Sequence, residues 1–153
     1  MKSRDYEEFI ESLNRIEARY LIVGAHAVAF HARPRATKDL DIFIEPTREN
    51  AERVLAAIRD FLGADLGISI EDLSTPGQIV QLGVAPMRID LLSRLAGVED
   101  FKDAWERRVE ADFSDVPARY ISLEDLIQAK TSAGRDQDKA DLHSLRLASR
   151  KKS

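Results

Sequence analysis

Asp39 and Asp41 stand two residues apart in DLDIFI, a stretch that alternates polar and apolar residues. On a strand this spacing sends both carboxylates to one face, with Cα atoms roughly 6.5–7 Å apart. Such a pair suits a hard cation: Mg²⁺, or Mn²⁺ in its place, takes one or two protein carboxylates together with waters and substrate phosphates. Asp90 lies in MRIDLL, a segment of the same design. Three carboxylates could hold two cations about 3.5–4 Å apart, one activating a hydroxyl and one steadying a leaving phosphate. D-x-D alone is a weak pattern, and polar residues at a wet strand end are its commoner explanation.

The phosphate side of such chemistry has its own candidates. Gly24 follows the apolar run Tyr20–Val23 and precedes a helix, so free amides there can bind an anion and the missing side chain lets backbone approach it. Arg33, Arg35 and Lys38 then supply three cations for triphosphate charge that a metal leaves over, or form a solvated basic loop. Arg88 shares the Asp90 face; it either binds phosphate or pairs with a carboxylate, and pairing is favoured. His26 and His31 read first as ordinary packed or exposed histidines. Trp105 reads first as core.

These residues need elements to hold them. Tyr6, Phe9, Ile10, Leu13 and Ile16 predict an amphipathic helix over residues 5–18. A strand at 20–23, a helix at 25–32 ended by Pro34, and a strand at 39–44 follow, the last with Leu40, Ile42 and Ile44 toward the core. Thr47 caps a helix that Gly63 closes near 62, and one helical turn fits 70–73. Strands at 78–82 and 87–92 come next, then a helix over 98–108 and an irregular or hairpin stretch to 121. Ser122 opens a helix that runs to Gly134, another covers 140–147, and the tail RKKS is expected to fray.

The whole chain sets limits. Its 153 residues, 44% hydrophobic, suit one mixed α/β domain with a core over about 18–112 and a helical segment over about 122–149. A net charge of -4 argues against a protein whose main task is to blanket nucleic acid, though a local basic patch stays open. There is no cysteine, so thiolate chemistry is excluded. No apolar run approaches the roughly 20 residues of a membrane span, and a cytoplasmic protein is expected.

Gly24 with its short helix, the basic loop, Asp39-x-Asp41 and Arg88-Ile89-Asp90 together resemble the DNA polymerase β nucleotidyltransferase superfamily. Within it, the chain looks like small bacterial and archaeal members, the minimal nucleotidyltransferases and the abortive-infection toxin type. The segments VGAHAVAFHARPRATKDLDIFIE, IVQLGVAPMRIDLL and ISLEDLIQAKTSAGRDQDKADL carry the resemblance across most of the chain.

The resemblance implies transfer of a nucleoside monophosphate from a nucleoside triphosphate to a hydroxyl on a protein or RNA acceptor, with release of pyrophosphate. Asp39, Asp41 and Asp90 would then be the catalytic and metal-holding residues, Asp90 also helping to deprotonate the acceptor. Gly24, Ala25 and the amides after them would cradle phosphate, with Arg35, Lys38, Arg88 and Lys130 as further nucleotide contacts and Arg135 near them. Ala25 departs from the superfamily, which usually has Gly or Ser there, so a hydroxyl contact is lost. A second reading is a weakly active or inactive member that binds a protein partner in a toxin–antitoxin-like pair, with self-association open. A nucleotide-sugar glycosyltransferase fits less well, because such a domain needs more chain.

Overall fold

A computed structural model of the chain describes residues 4–34, 39–84 and 87–152, the side chains of 84 and 152 excepted. Helix α1 (Asp5–Arg15) leads into strand β1 (Tyr20–Val23), helix α2 (Gly24–His31) and strand β2 (Asp39–Ile44). Helices α3 (Arg48–Leu62) and α4 (Ile70–Ser74) precede the pair β3 (Ile79–Val84) and β4 (Met87–Leu92). The chain then runs through α5 (Phe101–Glu106), β5 (Val109–Phe113), β6 (Val116–Tyr120), α6 (Leu123–Ala133) and α7 (Asp136–Lys152).

The strands form one mixed sheet in the order β3-β4-β2-β1-β6-β5. β2 is antiparallel to β1 and parallel to β4, so the two aspartate-bearing strands are direct neighbours. This is the expected mixed α/β architecture with helices at both ends of the chain.

Alternation along β2 and β4 sends Leu40, Ile42, Ile44, Ile89 and Leu91 into one core, where α1 and α3 cover the sheet. The opposite face carries a second core, absent from the sequence expectation, in which Phe43, Leu21 and Val23 meet Phe101 of α5, Leu126 of α6 and Leu145 of α7. The aspartates therefore sit at the margin of a packed layer rather than on an open wet face.

Local signals explain most boundaries. Thr47 accepts a hydrogen bond from the Asn50 amide, and Gly63 ends α3 in the left-handed conformation. Ser122 caps α6 by accepting from the Asp125 amide, and Gly134 ends it. The stretch at 109–120 is a hairpin. The helix expected over 98–108 is shorter, because Asp100 caps it by accepting from the Lys102 amide. α7 is longer than the expected 140–147 and keeps Arg150–Lys152 helical instead of frayed. It starts early because the Asp138 carboxylate accepts from the Arg135 amide and captures one of the free N-terminal donors. No described helix is long and apolar enough to cross a membrane.

Candidate functional site

Parallel pairing of β2 with β4 sets Asp41 opposite Asp90 and Asp39 opposite Arg88. Residues in register on strands about 4.8 Å apart point to the same side, so the three carboxylates and the guanidinium share one face. Arg88 takes up two of the three. Its Nη2 donates to Asp39 Oδ2 at 3.0 Å and to Asp90 Oδ2 at 3.2 Å, and its Nε lies 3.1 Å from Asp90 Oδ1. Tyr6 of α1 donates its hydroxyl to the Arg88 carbonyl and ties this strand to the first helix. Among the described residues no group of three acidic or histidine side chains is closed into a ready metal cluster.

Asp41 lies on the other side of the site, against Gly24. Val23 and Asp41 are cross-strand partners, so the turn from β1 into α2 passes directly over the Asp41 carboxylate. Gly24 has φ +65°, and a Cβ there would stand 2.3 Å from Asp41 Oδ2. Glycine is thus required twice, by the backbone conformation and by the carboxylate. The amides that open α2 have no side-chain cap, which leaves the first turn available to an anion.

Burial, together with the nearby charges of Asp90 and Asp39, pushes the Asp41 pKa up to about 6 against the pull of Lys130 and Arg88. Negative charge is concentrated at this point beyond what the two cations balance. An all-oxygen donor set carrying such an excess fits a hard divalent cation in its chemistry. For Asp39 and Asp90 to join Asp41 around one, the Arg88 guanidinium must move aside.

The opposite wall comes from the C-terminal helices. A cavity of about 430 Å³ opens between Gly24, Ala25, Asp39 and Asp41 on one side and Lys130 and Arg135 on the other. Leu92, Leu95, Leu126 and Ala129 give it an apolar flank. Lys130 is buried, its Nζ 3.2 Å from both Asp138 Oδ1 and Asp141 Oδ2. Arg135 donates its Nε to Asp138 Oδ2 at 2.8 Å. Burial raises the Asp138 pKa, but the bonds from Arg135 and Lys130 more than reverse this and bring it to about 2.

Asp138 and Asp141 join the site from α7 without belonging to any of the motifs that mark the other residues. Their spacing of three, which puts both on one helix face, was the available signal. Their role depends on the Gly134 turn that folds α7 back onto α6.

The remaining candidates separate clearly. Arg35 and Lys38 lie outside the described residues. Arg33 is exposed. His31 is buried with Nε2 2.7 Å from the Ile121 carbonyl, a structural contact. His26 packs between the rings of Tyr6 and Phe113, and burial lowers its pKa. Trp105 is half-buried, packing on Phe101 with the Arg108 guanidinium 4.0 Å from its ring centre.

Comparison with known proteins gives two kinds of match. The family described as a nucleotidyl transferase of unknown function matches residues 2–153. No curated protein matches the sequence. Among solved structures, the lincosamide antibiotic adenylyltransferase LnuA in its lincomycin-bound form superposes with a TM-score of 0.61 at 13% identity, over 95% of this chain and 97% of that one. The antibiotic-resistance factor ANT(2'')-Ia, in its solution structure, gives 0.60 at 15%, over 97% and 83%. An antigenic nucleotidyltransferase-like protein from Paracoccidioides brasiliensis gives 0.52 at 13%, over 92% and 74%. At these identities the structures share a fold with this chain.

Proposed function

This chain belongs to the family of nucleotidyl transferases whose function is unknown, and on that premise we propose that it acts as one nucleotidyltransferase domain. The reaction is transfer of a nucleoside monophosphate from a nucleoside triphosphate to a hydroxyl on a protein or RNA acceptor. The acceptor oxygen forms a bond to the α-phosphorus, the bond to pyrophosphate breaks, and the acceptor proton passes to a carboxylate.

The observation that carries this reading is the cavity that sets Gly24 and the Asp39/Asp41 pair opposite Lys130 and Arg135. Asp39, Asp41 and Asp90 would hold Mg²⁺ or Mn²⁺, whose charge makes the phosphorus easier to attack and the hydroxyl easier to ionise. The Gly24 turn offers backbone amides to phosphate oxygens, in agreement with the uncapped start of α2. Lys130 and Arg135, held by Asp138, meet triphosphate charge from the far wall. Asp90, buried beside Asp41, is the group that takes the acceptor proton.

A second reading is favoured by one specific feature, the Arg88 bridge that engages Asp39 and Asp90. With Arg88 retained there, the chain would be a weakly active member that works by binding a protein partner.

The test is incubation with Mg²⁺ or Mn²⁺, each labelled nucleoside triphosphate, and either total RNA or lysate protein, beside an Asp39→Asn/Asp41→Asn variant. Label should appear on an acceptor with the wild type and be lost with the variant. No transfer, or equal transfer by both, removes the enzymatic reading and leaves the partner-binding one.

A further inference from the structure

α7 sorts its charges by sign. Asp138 and Asp141 turn inward, 0% and 4% exposed, and spend their charge on Lys130, while Leu142 and Leu145 are buried beside them. The outward face carries Lys139, His143, Arg146, Arg150 and Lys151, all exposed. After Asp136 no acid stands on the exposed face of this helix among the described residues.

Ordinary solvation does not need this arrangement. On α3 two arginines stand four residues from glutamates and pair with them, Arg48 with Glu52 and Arg53 with Glu49. On α7 the four-residue neighbour of Arg146 is Arg150, and like charges at that spacing destabilise a helix. Helix-dipole stabilisation accounts for cations in the last turn, Arg150 and Lys151, but opposes Lys139 in the first. The row stands on a chain whose net charge is -4, so it is a local patch against the overall field.

The row also has a direction. Gln137 and Asp138 line the catalytic cavity, and Lys139 is the next residue along. From Lys139 to Lys151 the helix advances roughly 18 Å at 1.5 Å per residue. Beside its far half runs a groove of about 410 Å³, in which His31 and Arg33 face His143, Leu147 and Lys151. Arg146 and Arg150 one helical turn apart, with Lys139 two turns before them, Lys151 after them and the apolar Leu147 alongside, suit a flexible strand of phosphates and bases better than the scattered carboxylates of an acidic protein.

We infer that the outer face of α7 is a binding track for single-stranded RNA, which it leads toward the catalytic cavity. The inference deepens the transferase reading by choosing RNA over protein as acceptor, and the binding itself stands without that reading.

The experiment is fluorescence anisotropy with a labelled 12-nucleotide single-stranded RNA, without nucleotide or metal, from 50 to 200 mM salt. The wild type should bind with a clear salt dependence. Arg146→Gln/Arg150→Gln and the stronger Arg146→Glu/Arg150→Glu, each checked for folding by thermal melting, should bind at least tenfold more weakly, with a shallower salt slope.

The binding assay contains neither nucleotide nor metal, so RNA binding by the wild type without any label transfer to RNA removes the transferase reading alone. DNA of the same length binding equally supports recognition through the backbone phosphates. No RNA binding, binding indifferent to Arg146 and Arg150 in folded variants, or tighter binding to polyglutamate or to anionic lipid vesicles overturns the inference.

Discussion

Gly24 and Asp41 are in direct contact: the glycine leaves open the space in which Asp41 Oδ2 lies, 2.3 Å from where a β-carbon would be. Gly24→Ala therefore meets two obstacles, a φ of +65° and a carboxylate that has to be displaced. Gly63→Ala is the control, because its φ is +77° and nothing lies within 4 Å of its added methyl group. Gly63→Ala should cost about 1 kcal/mol in urea unfolding. Gly24→Ala should cost about 1–2 kcal/mol more and weaken Mn²⁺ binding measured by calorimetry. Equal costs at the two positions would show that the contact with Asp41 has no energetic weight.

Asp41 makes the protein less stable as pH rises. Its carboxyl is pushed up to about 6 in the fold from an ordinary 3.8, so between those values the folded state holds more protons than the unfolded one. Stability from this group is full below about pH 4 and is lost as pH climbs through 6, by about 2–3 kcal/mol. Asp41→Asn should be more stable than the wild type at pH 7.5 and lose that advantage at pH 4. Mg²⁺ at millimolar concentration should raise the wild-type melting temperature at pH 7.5 and leave that of Asp41→Asn nearly unchanged. A melting profile for the variant parallel to the wild type across this range would contradict the assignment.

Asp138 has the opposite sign. Held at about 2, it contributes stability that is present above about pH 4 and lost as the pH falls through 2. Asp138→Asn leaves Lys130 with Asp141 alone in a buried setting and should cost about 3 kcal/mol at pH 7. It should also weaken triphosphate binding more than monophosphate binding, since Lys130 and Arg135 lose their common anchor. Equal weakening of both would reduce Asp138 to a structural cap.

Arg88 competes with any cation for Asp39 and Asp90. Arg88→Ala should bind Mn²⁺ several-fold more tightly by calorimetry, whereas Arg88→Lys, which keeps the charge without the planar fork, should fall between the two. Weaker Mn²⁺ binding in Arg88→Ala would mean that the arginine orders the carboxylates rather than occupying them.

The elements of this chain were largely local decisions. Alternation in DLDIFI and MRIDLL marked β2 and β4, and the capping chemistry of Thr47, Gly63, Ser122 and Gly134 marked where helices begin and end. The boundaries that shifted did so for side-chain reasons invisible to periodicity, such as the Asp138 carboxylate that starts α7 early. The second core escaped because Phe43 shares its strand face with Asp39 and Asp41, and alternation alone cannot say that α5, α6 and α7 fold over that face.

Fold class and the residues that could do chemistry were legible along the chain, because strand period, turn glycines and charged residue types are properties of neighbouring positions. The meeting of Asp41 with Asp90 depended on β2 and β4 pairing in parallel register across 49 residues of chain. Which charges face each other follows from the folded chain alone: Arg88 takes Asp39 and Asp90, Asp41 is left against Gly24, and α7 turns its acids in toward Lys130 and its bases out. Electrostatic partners are chosen by distance in space and by burial, and a linear pattern encodes neither.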